Sequence, residues 1–159
     1  MVIIGIIGGS SATPEEADAA EAVGYGLARA GAVLVCGGRT GIMEAACRGA
    51  KRAGGLTVGI LPGTDPAEAN PYVDLPIVTG MGEARNVIIV RTAHAVIAIG
   101  GSYGTLSELG HALGLGKPVV GLGTWHVERE GHPPAPIHRA ETPEEAVALA
   151  FSLARQRRK

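Results

Sequence analysis

The chain has 159 residues and a formal net charge of -1; 46% of its residues are hydrophobic, 18% are charged and 3% are aromatic. This length suits a single domain, residues 1–159, with an aliphatic core, and the balanced charge argues against broad electrostatic binding to duplex nucleic acid. The 25 glycines argue against a helical bundle and favour an α/β domain with many tight turns.

The first apolar run, residues 2–7, has no basic residue before it and leads directly into a glycine-rich turn. It therefore predicts a buried strand rather than a secretory signal peptide. No apolar run in the sequence approaches the length that is needed to cross a membrane. We therefore expect a cytoplasmic protein with no membrane partner.

Short apolar runs alternate with alanine-rich amphipathic runs along the chain. The apolar runs predict strands at residues 2–7, 32–36, 57–61, 75–78, 95–99 and 118–122. The amphipathic runs predict helices at residues 14–30, 41–53, 84–93, 104–115 and 143–157. This alternation predicts one Rossmann-like, doubly wound parallel sheet with helices on both faces.

Two segments depart from the alternation. Residues 125–141 contain three prolines and predict a loop. The basic end, residues 155–159, predicts a solvated tail, because cations are favoured at a helix C-terminus. The two cysteines and five histidines lack the spacing of metal ligands, and we expect neither a metal nor a cofactor.

Four glycine-rich or polar segments follow predicted strands. In open α/β sheets, ligands bind beyond the carboxyl ends of the strands, so these segments together favour a ligand with phosphate and sugar groups. The segments are Gly8-Gly9-Ser10-Ser11, Gly37-Gly38-Arg39-Thr40-Gly41, Pro62-Gly63-Thr64 and Gly100-Gly101-Ser102-Tyr103-Gly104-Thr105.

The last of these segments is the most informative. A glycine-rich turn that opens a helix presents backbone N–H groups and partial positive charge, which together hold phosphate. We expect Thr105 to cap this helix and to donate its hydroxyl. Glu108 follows one turn later, and its carboxylate is either a capping-box partner or a catalytic group.

These motifs resemble the Lonely Guy family, which carries the older label "possible lysine decarboxylase". The resemblance runs from Ile3 to about Leu122 and rests on the three glycine segments after the first, second and fifth predicted strands, on Gly82-Glu83-Ala84-Arg85-Asn86 and on Leu106-Ser107-Glu108. It implies a Rossmann-like fold and cleavage of a nucleoside 5′-monophosphate into free base and ribose 5-phosphate. No lysine is marked as a Schiff base, and we do not expect decarboxylation.

Departures in two of the family's motifs favour a neighbouring branch. Ile99 replaces a proline, Ser102-Tyr103 makes the phosphate loop one residue longer, and the family's Arg-Lys pair is Arg85-Asn86 here. The variant resembles molybdenum-cofactor carrier proteins and, more distantly, the nucleotide-binding core of the DNA-processing protein Smf/DprA. The alternative function is therefore a carrier or sensor of a phosphorylated pterin or nucleotide, without turnover.

The predicted site residues fall into two groups. Arg85 and Glu108 are the candidate catalytic residues, since a carboxylate can stabilise the charge that develops on ribose and a guanidinium can grip phosphate. The alternatives are a capping glutamate and a surface arginine, or an ion pair between the two. The candidate ligand-binding residues are Gly9, Ser10, Gly38, Arg39, Thr40, Asn86, Gly100, Gly101, Ser102, Tyr103, Gly104 and Thr105.

The expected partners follow from this site. We predict a small phosphorylated ligand, either a nucleoside monophosphate or a phosphorylated pterin, and a homo-oligomer of two or more copies. Nucleic acid is disfavoured by the charge balance. A nicotinamide dehydrogenase is disfavoured because Gly5-Ile6-Ile7-Gly8-Gly9 lacks the spacing of the dinucleotide fingerprint.

Overall fold

The computed structural model describes residues 1–157 of the chain. Of the basic end, residues 158 and 159 lie outside this range. The strands are β1 (Ile3–Gly8), β2 (Val33–Cys36), β3 (Thr57–Leu61), β4 (Leu75–Val78), β5 (Ala95–Ile99), β6 (Val119–Leu122) and β7 (Ile137–Arg139). The helices are α1 (Pro14–Arg29), α2 (Ile42–Arg52), α3 (Asn86–Thr92), α4 (Tyr103–Gly114) and α5 (Pro143–Arg157).

The seven strands form one sheet in the order β4-β3-β2-β1-β5-β6-β7. Every neighbouring pair is parallel. The strand order reverses between β1 and β5, and such a switch point opens a crevice at the carboxyl edge of the sheet. The predicted Rossmann-like parallel fold is therefore confirmed.

The helices cover both faces of the sheet, as its apolar strands require. Successive side chains of a strand point to opposite faces, so Ile4 and Ile6 of β1 pack on one side whereas Ile7 packs on the other. The first core contains residues of α1, α2 and α5, and the second contains residues of α3 and α4. This arrangement brings the turns before α2, α3 and α4 to one edge of the sheet.

The predicted loop at residues 125–141 was wrong in part, because it contains β7. This strand pairs in parallel with β6, with Val119 opposite Ile137 and Gly121 opposite Arg139. Only Ile137 of its three residues is buried, so the apolar pattern is too short to mark a strand in the sequence.

The boundaries of four helices differ from the predicted ones: those of α1 and α2 by one residue at one or both ends, and those of α3 and α4 for identifiable reasons. Gly82–Arg85 forms a separate 3-10 helix before α3. The N-cap of α4 is Ser102 and not Thr105, which lies three residues inside the helix. At the other end of the chain, the Arg157 guanidinium donates to the carbonyl oxygen of Gly116. No helix within residues 1–157 is long and apolar enough to span a membrane.

Candidate functional site

A cavity of about 380 Å³ lies at the carboxyl edge of the sheet, beside the switch point. Turns that follow β1, β2, β3 and β5 contribute to its wall. A larger groove of about 520 Å³ contains none of the predicted site residues and is lined by Ala30 and by residues of α5. The cavity at the carboxyl edge is lined by Ile6, Ile7, Gly8, Ser10, Gly37, Arg39, Met43, Pro62, Glu83, Arg85, Asn86, Ser102, Gly104, Thr105 and Glu108.

The glycine turn between β5 and α4, residues 100–105, is called the anion turn here because of its free donors. Gly100 and Gly101 have φ values of +55° and +129°, which favour glycine. The N–H groups of Gly101, Tyr103 and Gly104 find no acceptor within residues 1–157. Unpaired N–H groups at a helix start attract anions.

Two side chains from the turn after β6 hold the carbonyl oxygens of the anion turn. The Thr124 hydroxyl donates to the Gly100 oxygen at 2.5 Å, and Trp125 Nε1 donates to the Ser102 oxygen at 3.1 Å. Within the turn, the Ser102 N–H donates to Thr105 Oγ1 at 3.3 Å. Thr105 is therefore a buried support for the turn, with 1% of its surface exposed.

Arg85 crosses the floor of the cavity from the 3-10 helix before α3. Its Nε donates to the Ile60 carbonyl at 2.8 Å, and its Nη2 lies 3.5 Å from the Gly37 oxygen. Its Nη1 donates to Oδ1 of the buried Asn86. Burial lowers the pKa of Arg85, and nearby Glu108 opposes this change. A guanidinium stays protonated in proteins, so Arg85 places a fixed positive charge in the cavity.

Glu108 projects from the second turn of α4 and is 7% exposed. Burial raises the pKa of its carboxyl to about 8, although the positive charge of Arg85 opposes the shift. None of the four ion pairs within residues 1–157 includes Glu108 or Arg85, so the ion pair that was the alternative interpretation of these two residues is not formed. At neutral pH Glu108 is therefore mostly a neutral acid that can donate a hydrogen bond.

The turns after β1 and β2 are joined to each other. The Thr40 hydroxyl donates to the Ser10 oxygen at 2.9 Å, and the Ile42 N–H donates to the Gly9 oxygen at 3.1 Å. Gly41 lies between them with φ +66°, and an added Cβ would lie 2.4 Å from the Gly9 oxygen. Thr40 and Gly9 therefore hold the wall of the cavity in place from outside it.

Arg39 stands at the rim of the cavity and is paired with an acid. Its Nη1 lies 3.1 Å from Oε2 of Glu68, and both side chains are more than a third exposed. An exposed pair of this kind is weak, so a ligand anion can compete with Glu68 for Arg39. Asn70 fixes the backbone beneath, because its Nδ2 donates to the Arg39 oxygen at 2.8 Å.

The structure brings eight of the fourteen predicted residues to the cavity wall. The other six are placed differently: Gly9, Gly38 and Thr40 support neighbouring turns, Gly100 and Gly101 face a second cavity, and Tyr103 is 82% exposed. The sequence-based prediction did not include the other seven wall residues, which are Ile6, Ile7, Gly8, Gly37, Met43, Pro62 and Glu83. Gly8, Gly37, Pro62 and Glu83 belong to segments that the motifs had marked, so membership of such a segment was the available signal.

The chemistry of this cavity suits an anion. The Arg85 guanidinium, the residue Gly104 with its unpaired N–H donor and the mostly neutral Glu108 carboxyl line one space, and each of these groups favours a negatively charged oxygen. The only other charged side chains on the wall are Arg39 and Glu83.

The chain is similar to known proteins over nearly all of its length. A family model described as the SLOG cluster4 family matches residues 1–147. An uncharacterized protein of Archaeoglobus fulgidus is 44% identical over 152 residues, which cover 94% of each sequence.

Solved structures show the same architecture. The molybdenum cofactor binding protein from the phototrophic bacterium Rippkaea orientalis is 38% identical, with a TM-score of 0.86 over 96% of each chain. The molybdenum cofactor carrier protein MCP from Chlamydomonas reinhardtii is 36% identical, with a TM-score of 0.83 over 96% of this chain and 98% of that one. DNA processing protein A from Helicobacter pylori, at 18% identity, has a TM-score of 0.69 over 95% of this chain and 80% of its own, and shares the fold alone.

Proposed function

The chain belongs to the SLOG cluster4 family, and we propose on this basis that it binds a phosphorylated pterin of the molybdenum-cofactor class and carries it without turnover. The observation that carries the proposal is the similarity, over nearly the whole chain, to proteins named for binding or carrying molybdenum cofactor. The ligand is cargo, held in the cavity at the carboxyl edge of the sheet.

The proposed binding mode uses the free donors of the site. The ligand phosphate lies on the N–H groups of Gly101, Tyr103 and Gly104, where the start of α4 adds partial positive charge. Arg85 supplies a charge-assisted hydrogen bond from the floor of the cavity. Asn86 keeps the guanidinium oriented through its side-chain oxygen.

The state of Glu108 is compatible with carriage. With a pKa raised to about 8 by burial, Glu108 is mostly protonated at pH 7. A neutral acid donates a hydrogen bond to the ligand and does not repel its phosphate. A protonated carboxyl can also act as a general acid in the cleavage of a glycosidic bond, so the similarity to carrier proteins, and not the pKa of Glu108, supports carriage over hydrolysis.

Loading of the purified protein tests this proposal. Molybdenum cofactor released from a molybdenum enzyme is mixed with the protein, and unbound cofactor is removed by gel filtration. We expect a pterin to elute with the protein, detected by its fluorescence after iodine oxidation. Elution of all the pterin at small-molecule volume would contradict the proposal.

Hydrolysis of a nucleoside 5′-monophosphate is the second candidate, since Arg85 and Glu108 line one cavity. Incubation with a panel of nucleoside 5′-monophosphates, followed by chromatography, measures the released base. If the carrier proposal holds, no base is released. Release that disappears in Glu108→Gln would establish the hydrolase in its place.

We also propose that each chain is a single domain and that two or more copies of the chain form a homo-oligomer. Half-buried apolar side chains of α3 and α4, among them Ile88 and Leu106, leave apolar surface for a second copy. Light scattering at micromolar concentration measures the mass, and a value near 16.1 kDa would contradict the oligomer.

A further inference from the structure

An aromatic pair lies beside the anion turn. The ring centroids of Tyr103 and Trp125 are 5.8 Å apart, and their planes are tilted by 32°. Tyr103 is 82% exposed, the highest fraction among the large hydrophobic side chains of residues 2–157. Its ring therefore contributes little to the core, and packing alone gives no reason for an aromatic residue there.

Trp125, in contrast, is fixed in position. Its Nε1 donates to the Ser102 oxygen at 3.1 Å, and its backbone oxygen accepts from Arg139 at 2.7 Å. Trp125 thus forms a firm backing for one face of Tyr103. The exposure of Tyr103 leaves the rest of its ring open to a ligand.

A second cavity of about 330 Å³ adjoins the anion turn on the side of Trp125. Its wall includes Gly100, Gly101 and Thr124, whereas Ser102, Gly104 and Thr105 of the same turn line the first cavity. The turn therefore separates two spaces. A ligand that holds its phosphate on the turn has room for a further group beside the aromatic pair.

The donors and the ring belong to the same few residues. The Tyr103 N–H is one of the unpaired donors of the anion turn, so an anion bound there lies within one residue of the Tyr103 side chain. Planar heterocycles stack on aromatic rings through their π-faces. A phosphorylated planar ligand satisfies both features at once.

We propose that Tyr103, backed by Trp125, is a stacking platform for the planar heterocycle of the ligand whose phosphate lies on the anion turn. This inference rests on the proposed function, because it assumes a phosphorylated ligand there. It assigns to Tyr103 the selection of heterocyclic phosphates over simple sugar phosphates.

Calorimetric titration with two probes separates ring binding from phosphate binding. GMP carries the 2-amino-4-oxopyrimidine ring that pterins share, and ribose 5-phosphate lacks any ring of this kind. We expect GMP to bind about tenfold more tightly, and Tyr103→Ala to remove this advantage while leaving ribose 5-phosphate unchanged. Tyr103→Phe keeps the affinity for GMP. Tyr25→Ala is the matched control, because it removes another partly exposed tyrosine, which lies on α1 and is distant in sequence from Tyr103. We expect this variant to change neither titration.

Fluorescence locates the bound ring, because Trp125 is the chain's only tryptophan. Its emission changes with GMP and not with ribose 5-phosphate if the heterocycle stacks beside it.

Three outcomes would overturn the inference. Equal binding of GMP by wild type and Tyr103→Ala would show that Tyr103 is not a stacking platform, although the phosphate site would remain supported. Failure of both probes to bind would contradict the anion turn itself, and with it the proposed function. A lower oligomer mass of Tyr103→Ala in light scattering, with unchanged GMP affinity, would make Tyr103 a contact between copies and also overturn the inference.

Discussion

At the scale of single residues, the protonation of Glu108 controls the charge of the candidate site. The side chain is buried and forms no hydrogen bond within residues 1–157. Burial disfavours the charged form of a carboxyl, and Arg85 only partly offsets this cost. An apolar residue at position 108 would therefore make the folded protein more stable than Glu108 does. A buried carboxyl with a raised pKa is typical of functional sites.

Glu108 makes the stability of the protein depend on pH. Its pKa rises from 4.5 to about 8 on folding, so the folded state holds the proton more tightly. The stabilisation is complete below pH 4.5 and is lost as the pH rises through 8. We expect Glu108→Gln to match wild type at pH 4 and to exceed its free energy of unfolding at pH 9 by at least about 1.4 kcal/mol, the equivalent of one pKa unit.

Urea unfolding at both pH values measures this difference. Glu83→Gln is the control, because Glu83 lies on the same cavity wall but is exposed. Parallel stability curves for wild type and Glu108→Gln from pH 4 to pH 9 would show that the Glu108 pKa is not raised.

Arg85 is the second residue at this scale, and we expect that lysine cannot replace its guanidinium group. Arg85→Lys keeps the charge but loses the planar group that reaches the Ile60 oxygen and Asn86. We expect the variant to retain about tenfold less pterin after loading and gel filtration. Arg91→Lys changes an exposed arginine on α3, the helix that follows Arg85, and should retain as much as wild type. Equal retention by Arg85→Lys would show that charge alone suffices.

The sequence identified Arg85 and Glu108 as site residues, but it did not predict which groups their side chains contact. Residue type and position after a strand marked Arg85 and Glu108, because parallel strands end at one edge of the sheet. The absence of an ion pair between them depends on side-chain placement across 23 positions of sequence, for which no local pattern exists. Thr105 was similarly marked as functional, yet the choice of Ser102 as the cap depends on where the longer loop ends.

At the scale of elements, the turns after β1 and β2 act as one unit. Gly41 has φ +66° and ψ −126°, a conformation that only glycine adopts readily. The close approach to Gly9 and Ser10 adds a steric requirement to the conformational one. The cavity wall therefore depends on a glycine that does not itself contact the cavity.

Gly41→Ala should damage both stability and binding. Strain and clash act together, and we expect a loss of about 3 kcal/mol in the free energy of unfolding. Gly54→Ala is the matched control, since Gly54 has φ +73° but nothing within 4 Å of an added Cβ, and should cost about 1 kcal/mol. Chemical denaturation measures both. Equal losses would show that the contact with the turn after β1 is unimportant.

Elements with long apolar patterns were predictable, and short ones were not. β3, β4, β5 and α5 lie at the predicted residues, because their apolar runs are bounded by glycine, proline or polar residues. β7 was missed because a three-residue edge strand buries a single side chain. The 3-10 helix Gly82–Arg85 joins α3 without a break in sequence pattern, so the predicted helix began too early.

At the scale of the whole molecule, the sheet order places every glycine segment that the motifs marked at one edge. The resemblance to the branch of molybdenum-cofactor carrier proteins, drawn from the longer phosphate loop and from Arg85-Asn86, is confirmed by the family match and the similar structures. The predicted hydrolase reaction finds no support among the similar proteins, which are named for binding or carrying molybdenum cofactor, and it stays a prediction.

Carriage without turnover is the central claim, and native mass spectrometry tests it most directly. The protein is purified from a bacterial host that synthesises molybdenum cofactor, and the mass of the protein and of any released molecule is measured. The account predicts an intact phosphorylated pterin bound to wild type and about tenfold less on Arg85→Lys. A wild-type protein that carries no pterin, but releases free base from a nucleoside 5′-monophosphate, would contradict it.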